Sequence, residues 1–149
     1  MDKCEHLGSD FTADALRVLD QLQDRAADRG LNLNRFVPEL LSWTVLRWEK
    51  KVAIAALELM GINRWKLEED LDGFLETHDS WHSIPHPLES VRDWARQQAA
   101  LMGTDWKGTE HLLLGAISAA CPEFRSFLAE HGVEYEAVKQ AILRILGKA

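Results

Sequence analysis

The residues best suited to chemistry lie in the segment Gly108-Thr109-Glu110-His111, directly before the apolar residues 112–114. Thr109 is predicted to cap a helix, because its hydroxyl can accept a hydrogen bond from a backbone N–H of the first turn. Glu110 follows in the first turn, where the helix dipole favours a negative charge. The apolar run predicts a helix that is buried on most sides. The sequence therefore predicts a hydroxyl and a carboxylate at the start of a buried helix, with Trp106 as the wall of a pocket there.

A second set of candidates is the histidine series His78, His82 and His86, which recur at intervals of four residues. On a helix this spacing would place metal ligands on one face. Pro85 and Pro87 disfavour a helix at the end of this segment, so a solvated linker is the preferred interpretation. A weak metal site at His78 and His82, as part of a metal-dependent helical enzyme, remains an alternative.

The cysteines do not form a recognisable site. Cys121 precedes Pro122 at a predicted helix start, a position that can lower the pKa of a thiol, but no general base is placed near it by the sequence. Cys4 and Cys121 form no close pair and have no metal-ligand spacing, which predicts reduced thiols in the cytoplasm. No cofactor is expected.

Composition limits the classes of function. With 149 residues, 46% of them hydrophobic and 28% charged, the chain is expected to be one globular domain. The formal net charge of -7 argues against nucleic acid as a partner, since phosphate binding needs a basic face. No apolar run is long enough to span a membrane, and the N-terminus lacks the apolar core of a signal peptide.

The elements that must position these residues are helices, because apolar residues recur at helical spacing and no segment alternates like a strand. Thr12 and Asn63 are expected N-caps, and Gly30, Gly61 and Gly103 are expected helix ends. Eight helices are predicted, beginning near residues 12, 38, 51, 63, 88, 109, 122 and 133. Among the tryptophans, Trp43 and Trp94 lie on apolar stripes and are expected in the core, whereas the others are at helix ends or loops, at positions 48, 65, 81 and 106.

The order of these helices repeats. A shift of 71 residues places Gly61 on Gly132 and Glu39 on Glu110. The predicted organisation is one domain over residues 1–149, with repeat one at about 11–76, a linker at 77–87 and repeat two at about 88–147. Each half alone would leave an apolar face, so the two are expected to pack about a pseudo-twofold axis.

Three segments resemble the N-terminal domain of the Clp ATPases: the Phe11-Thr12-x-x-Ala15-x-x-Val18-Leu19 motif, the Gly-Thr-Glu-His-Leu-Leu-Leu-Gly of residues 108–115, and the Leu-x-x-x-Gly-Val that ends the seventh helix. The resemblance covers about residues 11–147. It implies an all-α fold of two four-helix repeats and a non-catalytic docking platform for adaptors and substrates. A Walker A motif is missing, so the chain is either a stand-alone N-domain protein without the AAA+ modules, which we expect, or a fragment of a longer protein.

The resemblance also implies a ligand. In some family members the Thr-Glu of this block helps to bind phosphorylated arginine, which would implicate Thr109 and Glu110. The carboxylate could take the guanidinium and the helix N-terminus the phosphate. In the first repeat, Val37-Pro38-Glu39-Leu40 stands in place of Gly-Thr-Glu-His, so only Glu39 corresponds. The structural alternative is that Thr109 and Glu110 cap a helix and that His111 is packed or hydrogen-bonded.

The first functional hypothesis is a protein-interaction module that contacts a Clp ATPase, an adaptor or a substrate segment and modulates Clp-dependent proteolysis. Two further hypotheses stand beside it. One is a binder of a small ligand or of phosphorylated arginine without a protease partner. The other is the metal-dependent enzyme at His78 and His82. The oligomeric state does not follow from the sequence.

Overall fold

The helices of the chain follow each other with short connections and form an all-α fold, as predicted. The structure, a computed structural model, describes residues 11–47, 52–77 and 84–147. These ranges contain eight α-helices: α1 Ala13–Asp28, α2 Val37–Leu46, α3 Val52–Leu59, α4 Arg64–Thr77, α5 Pro87–Met102, α6 Thr109–Ala119, α7 Pro122–Glu130 and α8 Tyr135–Ile145. A short 3-10 turn occupies Leu33–Arg35. The described ranges hold no β-strand, only one isolated bridge between Phe11 and Lys107.

Local capping explains where several helices begin. The Thr12 hydroxyl accepts a hydrogen bond from the Ala15 N–H at 3.1 Å, and the Asn63 side chain accepts one from the Lys66 N–H at 3.1 Å. Both predicted caps are confirmed, because each depends only on neighbours in the chain. At the other end, α5 stops at Gly103, whose φ of +70° lies in the left-handed region that favours glycine.

The core is built around α2 and α6. Every residue of α2 is buried, and so are residues 109–117 of α6. These two helices pack against each other, α1 packs against α2, and α5 packs against α6. The predicted buried helix after Glu110 is therefore a central element of the fold.

Close approach of α5 and α6 depends on one glycine. A Cβ atom at Gly115 would lie 2.7 Å from the Cβ of Trp94. Real Cβ atoms do not approach so closely, so a side chain at this position would push the two helices apart. Trp43 lies in the core with 6% exposure, as predicted, whereas Trp94 is partly buried and packs against the outside of the core.

Helices of the two halves of the chain pack against each other. Helix α3 of the first half packs on α8 of the second. In return, the Phe74 ring of α4 contacts the rings of Phe124 and Phe127 in α7, with centroids 5.5 and 4.9 Å apart. Backbone bonds follow the same reciprocal scheme, since the Thr12 N–H donates to the Lys107 carbonyl and the Ile84 N–H to the Asn34 carbonyl. Such reciprocity is what a pseudo-twofold arrangement requires, and the repeat boundaries themselves stay a prediction.

Both end residues of the predicted linker at 77–87 belong to helices. Thr77 is the last residue of α4 and Pro87 is the first of α5, because proline is well suited to the first turn of a helix. Of the remaining linker residues, the structure describes 84–86. Residues 78–83, which include Trp81, lie outside the described ranges, and so does Trp48. Among the described helices, none combines the length and the apolar character that crossing a membrane requires.

Candidate interaction site at the start of α6

The predicted cap of α6 is wrong by one residue. Gly108 is the N-cap, with extended backbone at φ -111° and ψ -175°, and Thr109 is the first helical residue. The physical reason is His111, whose Nδ1 accepts a hydrogen bond from the Gly108 N–H at 3.0 Å and thereby fixes the helix start. Thr109 is buried with 2% exposure, so its hydroxyl does not face solvent at the end of the helix.

His111 is the centre of a hydrogen-bond network. Its ring is completely buried, and its Nε2 lies 3.1 Å from the Thr104 hydroxyl. Because Nδ1 accepts from the Gly108 N–H, the single proton of the neutral ring belongs on Nε2, which then donates to Thr104. Burial lowers the pKa of His111 to about 4. The ring is therefore neutral at pH 7 and suited to holding the loop, not to exchanging protons.

The same network fixes the α5–α6 loop, residues 103–108, along its length. The Thr104 hydroxyl lies 3.2 Å from the Trp106 carbonyl oxygen, to which it can donate. The Lys107 carbonyl accepts from the Thr12 N–H at 2.8 Å. The loop is thus tied both to α6 and to the segment that enters α1.

Glu110 lies in the first turn of α6, as predicted, and it is enclosed there. Its side chain is buried, with the residue 3% exposed, and its Oε2 accepts a hydrogen bond from the Trp106 indole N–H at 3.1 Å. Burial raises the pKa of Glu110, and hydrogen bonds from its own backbone N–H and from Trp106 partly oppose that rise. A Cβ at Gly108 would lie 2.3 Å from the Glu110 Oε1, so the carboxylate packs directly against the glycine.

Trp106 is the part of this site that reaches solvent. It is 39% exposed, whereas Thr109, Glu110 and His111 are buried. The indole donates to Glu110 and thereby covers the carboxylate. Trp106 and Glu110 form a hydrogen-bonded pair, and a pocket walled by Trp106 stays a prediction.

Glu39, the corresponding carboxylate of the first half, is also enclosed. It is 2% exposed, and no described residue donates a hydrogen bond to its buried Oε1. Burial raises the pKa of Glu39 to about 7, opposed by a hydrogen bond from its own backbone N–H. The charge of Glu39 also helps to raise the pKa of Cys121, which directly precedes α7.

Cys121 is not activated by its place at a helix start, in agreement with the sequence analysis, which found no general base beside it. The thiol is buried, and burial is the main reason that its pKa is raised. A thiol with a raised pKa is a poor nucleophile at neutral pH. The position before a proline carries no information on burial.

The metal hypothesis lies largely beyond the described ranges. His78 and His82 fall in residues 78–83, and His86 is exposed ahead of α5. Within the part of the chain that the structure describes, no three His, Cys, Asp or Glu side chains converge as metal ligands.

Two residues that position the site were not recognised from the sequence as a pair. Thr104 and His111 are seven residues apart, and their contact forms only when the α5–α6 loop turns back on α6. The available signal was a histidine three residues after a glycine, at the position where a side chain can accept from the N-cap backbone N–H. Leu101 was also missed: in the last turn of α5 it is 65% exposed.

Comparison with known proteins relates the sequence of the chain to two Clp proteins. No family model matches the chain. The chain is 27% identical over 141 residues to the chaperone protein ClpB of Oceanobacillus iheyensis, an alignment that covers 92% of this chain and 17% of the relative. It is 26% identical over 141 residues to the negative regulator of genetic competence ClpC/MecB of Bacillus subtilis, with the same two shares. The chain is Clp N-domain-like.

The family resemblance predicted from the sequence is therefore confirmed, and the all-α fold of the Clp N-domain-like chain agrees with it. The chain spans 17% of the length of these curated relatives. We therefore treat the activities and partners of the full-length relatives as proposals for this chain.

Proposed function

We infer that the chain is a non-catalytic protein-interaction module of the cytoplasm, which binds adaptor or substrate proteins and modulates Clp-dependent proteolysis. The observation that carries this proposal is similarity along 92% of the chain to a protein named as a chaperone and to one named as a negative regulator of competence. The partner is a Clp ATPase, an adaptor or a substrate segment. Nucleic acid and membrane lipid are poor partners for a chain with net charge -7.

The chemistry at the start of α6 supports a binding role over a catalytic one. Both ring nitrogens of His111 are engaged, with Gly108 and Thr104, and its pKa is lowered to about 4. Glu110 is covered by the Trp106 indole. General acid-base catalysis needs a group with a pKa near the working pH and access to substrate. This network instead makes a rigid loop.

Trp106 is the residue of the loop that we assign to partner contact. Tryptophan is enriched among residues that dominate binding energy, because it buries a large area. Trp106 is 39% exposed, and its backbone and indole are both held by hydrogen bonds. Little conformational freedom is then lost on binding. Leu101, 65% exposed in the last turn of α5, adds apolar surface in the segment leading to the loop.

A phosphorylated arginine would be a different ligand from the protein partner that contacts Trp106 in place: Thr109 and Glu110 would hold it, and it would displace the Trp106 indole from the carboxylate. A guanidinium group could then replace the indole N–H on the Glu110 carboxylate, since arginine pairs with carboxylates in a bidentate manner. A phosphorylated arginine presents such a group. Glu39 is the corresponding group of the first half, and it is the weaker contact because its carboxylate is enclosed, with no partner for Oε1 in the described part of the chain.

The experiment is a binding measurement with the tagged chain immobilised. A Clp ATPase, its adaptor and an unfolded substrate protein are passed over it in turn, with circular dichroism as a check of fold. The wild-type chain is expected to bind at least one of the three. Trp106→Ala is expected to weaken that binding at least tenfold, in line with the loss of a hot-spot tryptophan.

Trp65→Ala is the matched control, because Trp65 is 66% exposed on α4, away from the α5–α6 loop. It is expected to bind within twofold of wild type. Absence of binding to all three proteins would contradict the proposed function. Equal loss in the two variants would contradict the assignment of the contact to Trp106.

A further inference from the structure

Three arginine side chains converge on the ring of Trp43. Arg25 and Arg29 come from α1, and Arg47 directly follows α2. Their guanidinium carbons lie 5.3, 5.1 and 4.9 Å from the indole centroid. Each contact alone is a favourable cation–π interaction. Together they gather three positive charges, and we call this group the arginine cluster.

Carboxylates of α4 neutralise two of the three charges. Arg29 bonds to the Asp72 carboxylate at 2.6 Å, and Arg47 bonds to the Glu68 carboxylate. Within the described ranges, Arg25 contacts the Gln21 side-chain oxygen at 3.3 Å and the indole ring, neither of which is charged. The described part of the cluster therefore carries one excess positive charge, on a chain whose net charge is -7.

Two buried donors in the cluster lack an acceptor among the described residues. The Arg29 Nε and the Trp43 Nε1 are both shielded from solvent, and neither has a hydrogen-bond partner in residues 11–47, 52–77 and 84–147. Leaving one buried donor unsatisfied costs on the order of 1–3 kcal/mol, so such groups are rare in folded proteins. Two of them on neighbouring side chains, next to an excess charge, indicate a place for an anionic acceptor.

We propose that the arginine cluster binds a carboxylate of an acidic segment in a partner protein. A carboxylate brings one negative charge, which equals the excess charge of the cluster, and two oxygens that accept hydrogen bonds from guanidinium and indole N–H groups. A phosphate near -2 would leave a negative charge uncompensated beside Asp72 and Glu68. Arg25 and Arg29 are partly exposed and Arg47 is exposed, which leaves a route from solvent.

This site lies on α1, α2 and α4 and uses neither Trp106 nor the α5–α6 loop. The proposed carboxylate site is therefore separate from the proposed function, and it can be tested on the chain alone, without a Clp partner. Failure of the Clp partners to bind would leave it standing, and its own failure would leave the proposed function standing.

The indole N–H of Trp43 is a built-in reporter for the test. The chain is labelled with ¹⁵N, and the Trp43 indole signal is assigned by its loss in Trp43→Phe. Acetylated hexaglutamate amide is then titrated at low salt, with hexaglutamine as the neutral comparison and inorganic phosphate as the second anion. We expect a saturable shift of the Trp43 signal with hexaglutamate, none with hexaglutamine, and at least tenfold weaker binding of phosphate.

Arginine variants separate the site from general attraction. Arg25→Gln is expected to weaken hexaglutamate binding at least tenfold. Arg17→Gln removes the same charge from an exposed position on the same helix and is expected to change the affinity less than twofold. Equal weakening by the two variants, or a Trp43 signal that moves with none of the probes, would overturn the proposal.

Two other outcomes would also overturn it. Tighter binding of phosphate than of hexaglutamate would assign the cluster to a different anion. The second concerns Glu49, which follows Arg47 by two residues and lies outside the described ranges. A Trp43 signal that shifts in Glu49→Gln without added peptide, together with stronger hexaglutamate binding, would make this carboxylate the resident acceptor.

Discussion

At the residue scale, Glu39 ties the stability of the chain to pH. Burial raises its pKa from 4.5 to about 7, so the folded chain holds a proton that the unfolded chain has released. The stabilising effect of this proton is complete below pH 4.5 and is lost as the pH rises through 7. The total loss is about 3 kcal/mol, at about 1.4 kcal/mol for each pKa unit.

Glu39→Gln removes this titration while keeping the size of the side chain. Between pH 5 and pH 8, the free energy of unfolding of the variant is expected to gain about 2 kcal/mol relative to wild type. Urea unfolding at the two pH values measures the difference. If the difference in free energy of unfolding between variant and wild type is the same at pH 5 and pH 8, Glu39 does not titrate as an enclosed acid.

The pKa of His111 shifts in the opposite direction to that of Glu39. Its pKa falls from 6.5 to about 4 in the folded chain, so its contribution to stability is complete above pH 6.5 and is lost as the pH falls through 4. His111→Gln is expected to lower the free energy of unfolding at pH 7 by about 1–3 kcal/mol, because Gly108 and Thr104 lose their partner. The deficit should narrow by about 2 kcal/mol at pH 4.5.

Unfolding curves at pH 7 and pH 4.5 test this prediction. His86→Gln is the control, since His86 is exposed ahead of α5 and its replacement should leave stability unchanged at both values. A deficit of His111→Gln that grows on acidification would contradict the assignment of His111 as a buried neutral ring.

At the scale of elements, the packing of α5 on α6 depends on Gly115. Gly115→Ala would place a Cβ 2.7 Å from the Trp94 Cβ, and the expected cost is about 1–3 kcal/mol of stability from overpacking. Gly73→Ala is the matched control within α4, where an added Cβ meets nothing within 4 Å. There alanine should stabilise the chain by about 0.5–1 kcal/mol, because glycine is the poorer helix former.

Thermal unfolding of the two variants gives the comparison directly. Opposite shifts of the melting temperature are expected, downward for Gly115→Ala and upward for Gly73→Ala. If both variants are stabilised, α5 and α6 adjust without cost and the glycine is not needed for their close approach.

The elements were predictable from the sequence because their signals are local. Thr12 and Asn63 cap helices through residues three positions away, and Gly103 ends a helix through its own φ. The exact start of α6 was missed although its signal is also local, because the Gly108 N–H bonds to a histidine three residues later, where glutamate or glutamine is the usual partner. The burial of Glu110 could not be predicted, because it needs Trp106 to fold back over the carboxylate and Gly108 to leave space beneath it.

At the scale of the whole molecule, two buried central helices are surrounded by helices that exchange contacts between the halves. The resemblance of the sequence to Clp N-domains extends over nearly all of this arrangement, with 92% of the chain aligned. The division into repeats and the roles of Thr109, Glu110, Trp106 and Glu39 in binding remain predictions. The proposed interaction module rests on this family relation and on the exposed Trp106.

Degradation of an unfolded substrate by a Clp ATPase and its protease, with the cognate adaptor, tests the central claim most directly. Added as a separate chain, the module should compete for the adaptor or substrate and lower the degradation rate at least twofold at saturation. Trp106→Ala should restore most of the rate, and Trp65→Ala should inhibit like wild type. A degradation rate that is unchanged by the wild-type chain at every concentration would contradict the account.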